Sequence, residues 1–153
     1  MVGERIEIID LETHETRDII DKHVNGKLTV LWRNWDKKIN VPQMVYLSSI
    51  NPGERKGPHL HTKRSSYFFC ISGEVIFIIK DENNKFLEIK STSADSTLIH
   101  VPKNIASAHI NVSNQPAKIL VFADVAWKPN DNEMQNIEFD DYAWKKWNLN
   151  LVP

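Results

Sequence analysis

The sequence contains a single cysteine among its 153 residues, Cys70, so no disulfide can form within the chain. Proteins without disulfides are typical of a reducing compartment, which indicates the cytoplasm. No apolar run approaches the ~18 residues that a transmembrane helix needs, and the first residues lack the basic-then-apolar order of a secretory signal. We therefore expect a cytoplasmic protein that does not enter a membrane, with Cys70 packed as a small buried residue.

An excess of charge of either sign is also absent. Lysine and arginine total 19 and aspartate and glutamate total 20, which gives a net charge of −1. This balance argues against a general nucleic-acid or membrane-surface binder. Hydrophobic residues make up 41% of the chain and charged residues 25%, as is usual in soluble globular proteins, and the length favours one domain over residues 1–153.

Short apolar segments separated by turn residues dominate the sequence. A strand is predicted over residues 6–9 and a two-turn helix over 16–23, ended by Asn25-Gly26. Further strands are predicted over 28–32, 42–50, 66–72, 74–80, 85–90, 97–101, 106–112 and 117–124. Strands at roughly ten-residue spacing indicate an all-β sandwich or barrel. We expect a core barrel over about 27–125 and a tail over 126–153 that packs on it, with a short helix within 140–147.

Two histidines in a basic segment are the most informative feature. His59 and His61 stand two apart on a predicted strand, so their side chains point to the same face. Basic residues flank them on both sides, namely Arg55, Lys56, Lys63 and Arg64. Imidazoles among cations suit the binding and deprotonation, or the metal coordination, of a small anionic ligand.

Three interpretations of the histidines remain open from the residues alone. A divalent Zn or Fe ion fits ligation by His59, His61 and His109. Alternatively, unmetallated imidazoles act as acid and base, since they titrate near neutral pH. The third interpretation is that they line a barrel and are satisfied by hydrogen bonds. The remaining histidines have no such context.

The spacing Gly53-x5-His59-x-His61-x4-Ser66-x6-Gly73 resembles the first signature of the cupin superfamily, with Ser66 where metal-binding cupins have glutamate. The second signature is degenerate here, and Ser107 takes its histidine place. The resemblance implies a cupin-type double-stranded β-helix, which is an antiparallel jelly-roll barrel, with short helical segments near the termini.

A closer resemblance is to the nucleotide-sugar branch of the cupins. Lys56-Gly-Pro-His59-Leu-His61-Thr-Lys63 is similar to the Arg-Gly-(aromatic)-His-x-His-Lys-Lys of dTDP-sugar 3,4-ketoisomerases. The tail from Trp127 to Asp141 is similar to that of dTDP-4-dehydrorhamnose 3,5-epimerases, although Ala126 and Trp127 stand where those enzymes have an active-site tyrosine. The resemblance implies an isomerase or epimerase of a nucleotide-linked 4-keto-6-deoxysugar, without a cofactor, in polysaccharide or deoxysugar biosynthesis.

The resemblance also implies roles for individual residues. His59 is the preferred base that removes a proton next to the ketone. The catalytic set is His59, His61, Lys63 and His109. The substrate-binding set is Arg55, Lys56, Arg64, Ser66, Tyr67, Ser107 and Asn111. We further expect a homodimer in which an edge strand or the N-terminal segment pairs across a two-fold axis. The alternatives are a non-catalytic sugar- or metabolite-binding cupin and a metal-dependent cupin enzyme.

Overall fold

The computed structural model describes residues 5–150, and strands dominate it. The strands are β1 (Glu7–Asp10), β2 (Thr13–Arg17), β3 (Val24–Thr29), β4 (Met44–Ile50), β5 (Arg55–His61), β6 (Ser66–Ser72), β7 (Glu74–Lys80), β8 (Phe86–Thr92), β9 (Thr97–Val101), β10 (Ser107–Ile110), β11 (Ala117–Ala123) and β12 (Met134–Asn136). Within the described range, the one helical element is a 3₁₀ turn over Trp144–Lys146. The prediction of an all-β, cupin-type fold is confirmed.

Two five-stranded antiparallel sheets form the barrel. The first sheet has the order β1-β9-β6-β11-β4 and the second has the order β12-β5-β10-β7-β8. Their inner faces meet in an apolar core that includes Phe77 and Ile79 of β7 together with Ile119 and Val121 of β11. A closed pair of twisted sheets leaves room between them at one end, and that end carries the candidate site.

The outer face of β7 is buried as well, which explains its continuous apolar sequence. Ile76 and Ile78 pack outward against Phe139, Tyr142 and Trp144 of the tail. The tail therefore covers the second sheet from outside. The first sheet is covered in a similar way by the segment before β4, whose Ile39 and Trp32 pack in a cluster with buried residues of β6, β9 and β11.

The predicted helix over 16–23 is wrong. Residues 13–29 form the hairpin β2–β3, in which Thr13 pairs with Thr29 and Arg17 pairs with Val24. The Asp18 carboxylate accepts hydrogen bonds from two backbone N–H groups of the connecting turn, at 2.7 and 3.2 Å. A helix of eight residues has too few internal hydrogen bonds to persist alone, whereas the hairpin pairs β2 with β3 over residues 13–29.

Two other expectations near the termini also change. The strand predicted over 28–32 begins earlier and ends at Thr29, because its residues pair with β2. In the tail, three residues of 3₁₀ turn replace the helix expected within 140–147, so short helical segments near the termini are not supported. No helix in residues 5–150 is long and apolar enough to cross a membrane.

Candidate functional site

A cavity of about 470 Å³ opens between the two sheets. It is lined by residues of β4, β5, β6, β9 and β10, by the turns near them and by the tail. The lining residues are Met44, Tyr46, Ser48, Lys56, His59, His61, Arg64, Ser66, Phe68, Val101, Pro102, Ile105, Ser107, His109, Trp127 and Met134. The walls are largely apolar and aromatic, with a few polar groups that converge, as in typical small-molecule sites.

Strand β5 supplies three of the polar groups. His59 and His61 face the cavity together, as strand alternation predicts. Lys56 also faces it, although it stands three residues before His59, because the pairing of β5 with β10 shifts register between Ser107 and His109. The Lys56 Nζ donates a hydrogen bond to Ser48 Oγ of β4 at 2.9 Å, which links the two sheets across the cavity.

His61 has a partner on each ring nitrogen. Its Nδ1 lies 2.6 Å from Oε1 of Glu133, and its Nε2 lies 2.9 Å from Nη2 of Arg64. A guanidinium can only donate, so Nε2 accepts and the proton of the neutral ring is on Nδ1, from where it is donated to Glu133. Burial lowers the pKa of His61 despite its carboxylate partner, which keeps the ring neutral near pH 7.

Arg64 is buried but sparsely bonded. Its side chain is 10% exposed, its Nε lies 3.9 Å from Glu133 Oε1, and its Cζ lies 5.8 Å from the centroid of the Tyr46 ring. Within residues 5–150, the Nε has no hydrogen-bond partner. Because a guanidinium carries five N–H donors, Arg64 retains donors for a ligand in the cavity.

His59 differs from His61 in that its imidazole ring has no hydrogen bond to any group in residues 5–150. Burial lowers its pKa, and the neighbouring His61, Arg64 and Lys56 lower it further. The ring is therefore neutral near pH 7 and has a free lone pair inside the cavity. These are the properties of a general base.

His109 lies deeper, 5.6 Å from Phe77 and 6.2 Å from Phe68 between ring centroids. Its Nε2 is buried, and the part of the chain that the structure describes offers it no hydrogen-bond partner. Burial lowers the pKa of His109 to about 3. Ser66 and Ser107 line the same cavity, so the structure brings together His59, His61, His109, Lys56, Arg64, Ser66 and Ser107 from the predicted set.

The other predicted site residues lie outside the cavity lining. Arg55 faces the opposite side of β5, with its Cζ 4.3 Å from the centroid of the Trp144 ring. The Lys63 side chain is exposed to solvent. Tyr67 is fully buried and stacks on His100 at 4.3 Å. Asn111 is buried and donates to the carbonyl oxygens of Ile50 and Gln115, at 3.0 and 2.7 Å.

Sequence reasoning missed Glu133 as a site residue. Its carboxylate is 4% exposed and contacts His61, which is 72 residues away in sequence. The one signal for it was its place as the glutamate of the epimerase-like tail motif. Tyr46 and Trp127 were likewise not selected, although both line the cavity and Trp127 is 64% exposed at its mouth.

The three histidines of the metal hypothesis do not form a ligand set. Both nitrogens of His61 are already engaged, and the adjacent guanidinium of Arg64 repels a cation. Among residues 5–150, the ligand atoms of three or more His, Cys, Asp or Glu residues converge within 4.8 Å at one place, the exposed β2–β3 turn with Asp18, Asp21 and His23.

The facing sheets and the imidazole-lined cavity define a protein of the cupin class. Residues 6–144 match the protein-family model described as FdtA: WxcM-like, C-terminal, and the chain belongs to this family. The predicted relationship to the nucleotide-sugar branch of the cupins is thereby confirmed. A search of curated protein sequences finds no match.

Solved structures with the same fold include proteins that are named as sugar-nucleotide isomerases and epimerases. A dTDP sugar isomerase from Desulfovibrio desulfuricans G20 is similar with a TM-score of 0.74 and 14% identity, over 90% of this chain and 86% of that chain. A dTDP-4-dehydrorhamnose 3,5-epimerase from Elizabethkingia anophelis NUHP1 gives 0.69 and 18%, over 86% and 74%. QdtA, a sugar 3,4-ketoisomerase from Thermoanaerobacterium thermosaccharolyticum in complex with TDP, gives 0.67 and 17%, over 88% and 89%.

Proposed function

We propose that the chain is an isomerase of a nucleotide-linked 4-keto-6-deoxysugar, and that it moves the ketone between C4 and C3. The family and the structural relatives support this class of enzyme. The observation that carries the proposal is the neutral, unpartnered imidazole of His59 in a cavity that also holds the free donors of Arg64. A base and an anion-binding cation are the two groups that this reaction needs.

The proposed reaction conserves every atom of the sugar. His59 removes the proton from C3, and the electron pair of that C–H bond forms a C3–C4 double bond while the C4 ketone becomes an enolate. Protonation of the C4 oxygen gives an enediol. The C3 hydroxyl then loses its proton, the double bond shifts to form a C3 ketone, and C4 takes up a proton. The imidazolium that His59 becomes in the first step is a suitable donor of the proton that C4 takes up.

Two cations are placed to stabilise negative charge during this sequence. The guanidinium of Arg64 has donors for the enolate or for the diphosphate of the ligand, and Lys56 Nζ lies on the same wall as His59. Stabilisation of a developing oxyanion by fixed donors is often the largest catalytic contribution. Ser107 of the same sheet and Ser66 of the facing sheet offer hydroxyl groups to the sugar.

Migration of the ketone is favoured over epimerisation by Trp127. Epimerisation needs an acid on the second face of the sugar ring, and the epimerases have a tyrosine near this place in their tail motif. Here Trp127 lines the cavity, and an indole has no proton acidic enough for that role. Its exposed ring offers instead a flat surface on which a nucleobase or sugar can stack.

Turnover of TDP-4-keto-6-deoxyglucose tests the proposal directly. We expect ¹H NMR of the incubated sugar nucleotide to show a new species with its ketone at C3 and an unchanged configuration at C5. A product inverted at C3 and C5 would replace the proposal with an epimerase. Tight retention of the unaltered compound after long incubation would contradict an enzyme and identify a binding protein.

We also propose that the chain works as a homodimer in the cytoplasm. The hairpin β2–β3 projects with nearly all of its residues exposed, and Ile19 and Ile20 at its tip are 84% and 87% exposed. An isolated two-stranded hairpin is marginally stable in water, so pairing with a second copy accounts for its apolar tip. Sedimentation equilibrium is expected to give twice the mass of the chain, and a monomer at micromolar concentration would contradict this assembly.

A further inference from the structure

We infer that Glu133 is a positioning residue, which fixes the tautomer of His61 so that His61 holds Arg64 toward the cavity. The inference rests on the proposed function in one respect, which is the identity of the anion that Arg64 binds. Glu133, His61 and Arg64 form a row of two short hydrogen bonds, at 2.6 and 2.9 Å. We call this row the Glu133 relay.

The direction of the relay follows from the chemistry of its ends. A carboxylate accepts and a guanidinium donates, so the imidazole between them must donate from Nδ1 and accept at Nε2. If Glu133 were removed, the Nδ1–H would lose its acceptor in the relay, and only the Arg64 donor at Nε2 would still favour this tautomer. In the other neutral tautomer Nε2 carries a proton and cannot accept from Arg64.

The backbone of the tail places Glu133 beside His61. Met134 of β12 pairs with His61 of β5. The carbonyl oxygen of Glu133 accepts from the backbone nitrogen and from Oγ1 of Thr62, at 2.8 and 3.1 Å. These bonds hold the main chain whatever side chain stands at residue 133, so substitutions there test the carboxylate rather than the strand pairing.

Glu133 acts on Arg64 through the imidazole. The Nε of Arg64 is 3.9 Å from the nearest carboxylate oxygen, which is beyond hydrogen-bond distance. The guanidinium is therefore neutralised in part by the carboxylate, and its Nε donor, unlike the Nη2 donor that bonds His61, has no partner within residues 5–150. A direct bidentate ion pair would consume those donors. The indirect arrangement orients a buried cation and leaves it available to a ligand anion.

The first experiment reads the His61 tautomer by long-range ¹H–¹⁵N correlation NMR on the full chain without ligand. We expect the Nδ1–H form in the native protein and in Glu133→Gln, whose carbonyl oxygen still accepts, and its loss in Glu133→Ala. Glu138→Ala, which removes an exposed carboxylate of the same tail, is the matched control and keeps the native form. Arg64→Ala is expected to keep the Nδ1–H form, because Glu133 sets it.

The second experiment measures TDP binding by calorimetry. Loss of the bond that orients Arg64 is expected to weaken TDP binding about tenfold in Glu133→Ala, with changes below about threefold in Glu133→Gln and Glu138→Ala. Two NMR results would overturn the relay, namely retention of the Nδ1–H form in folded Glu133→Ala and a change of tautomer in Arg64→Ala. A TDP affinity of Glu133→Ala equal to that of Glu138→Ala would also overturn it. Absence of TDP binding to the native protein would reject the proposed ligand, whereas the NMR comparison decides the tautomer step of the relay independently.

Discussion

The cavity holds the same side chain in opposite circumstances. In one group, which we call the network end, His61 is bonded on both nitrogens to Glu133 and Arg64. In the other group, which we call the open end because its rings lack partners, the ring of His59 has no hydrogen bond to residues 5–150 and His109 has a buried Nε2 without one. The hydrogen-bond partners, rather than residue type or strand face, therefore distinguish the imidazole that we propose as a positioning group from the one that we propose as the base.

Electrostatics sharpens the difference between the ends. Burial lowers the pKa of all three imidazoles. At the network end the carboxylate of Glu133 opposes that effect, whereas at the open end the neighbouring basic groups, Lys56 among them, lower the pKa further. All three are neutral near pH 7, but of the three only His59 has ring nitrogens that are neither bonded nor fully buried within residues 5–150.

Removal of the Arg64 guanidinium takes away one of the two partners of His61 and is expected to weaken ligand binding more than the other substitutions do. A hydrogen bond to a charged group contributes roughly 1.5–3 kcal/mol, so Arg64→Ala is expected to weaken TDP binding about 10- to 100-fold in a calorimetric titration. Lys63→Ala is the matched control, because its exposed ammonium lies outside the cavity lining. Equal losses in the two variants would show that general positive charge, and not Arg64, binds the anion.

The open end is expected to make the protein less stable in mild acid. His109 has a folded-state pKa of about 3 against about 6.5 in the unfolded chain, so between these values only the unfolded state is protonated at this residue. Stability is therefore complete above pH 6.5 and declines as the pH falls toward 3. The loss from this residue is about 1.4 kcal/mol per pH unit, or about 2 kcal/mol at pH 5.

Urea unfolding at pH 7 and pH 5 checks this prediction. Between pH 7 and pH 5 the native protein is expected to lose about 2 kcal/mol more of its unfolding free energy than His109→Gln loses. The contributions of His59 and His61 are common to both proteins and cancel. His14→Gln on the exposed hairpin serves as control. The same pH dependence in native protein and His109→Gln would contradict the buried neutral state of His109.

The local pattern of apolar and polar residues was sufficient to predict much of the barrel. The strands over 66–72 and 74–80 were predicted to the residue, because an apolar run bounded by polar residues and Gly73 leaves little choice. The pair His59 and His61 was also predictable from strand alternation. The hairpin β2–β3 was not, because its helix-like spacing of apolar residues is overridden by pairing between segments that the sequence alone does not bring together.

The contacts of the site that depend on pairing between strands distant in sequence could not be predicted from the local pattern of residues. Glu133 reaches His61 only because β12 pairs with β5. Arg55 and Lys56 are neighbouring cations, yet the register shift between β5 and β10 turns Lys56 inward while Arg55 packs on Trp144. Which of two adjacent cations meets the ligand is thus decided by sheet geometry and not by composition.

The central claim, that His59 is the base, is tested most directly by hydrogen exchange in His59→Asn. The native protein is expected to exchange the C3 hydrogen of TDP-4-keto-6-deoxyglucose with D₂O. Because a general base contributes roughly 10²–10⁴-fold, folded His59→Asn is expected to exchange at least about a hundredfold more slowly, while His14→Asn keeps the native rate. An unchanged exchange rate in folded His59→Asn would contradict the account.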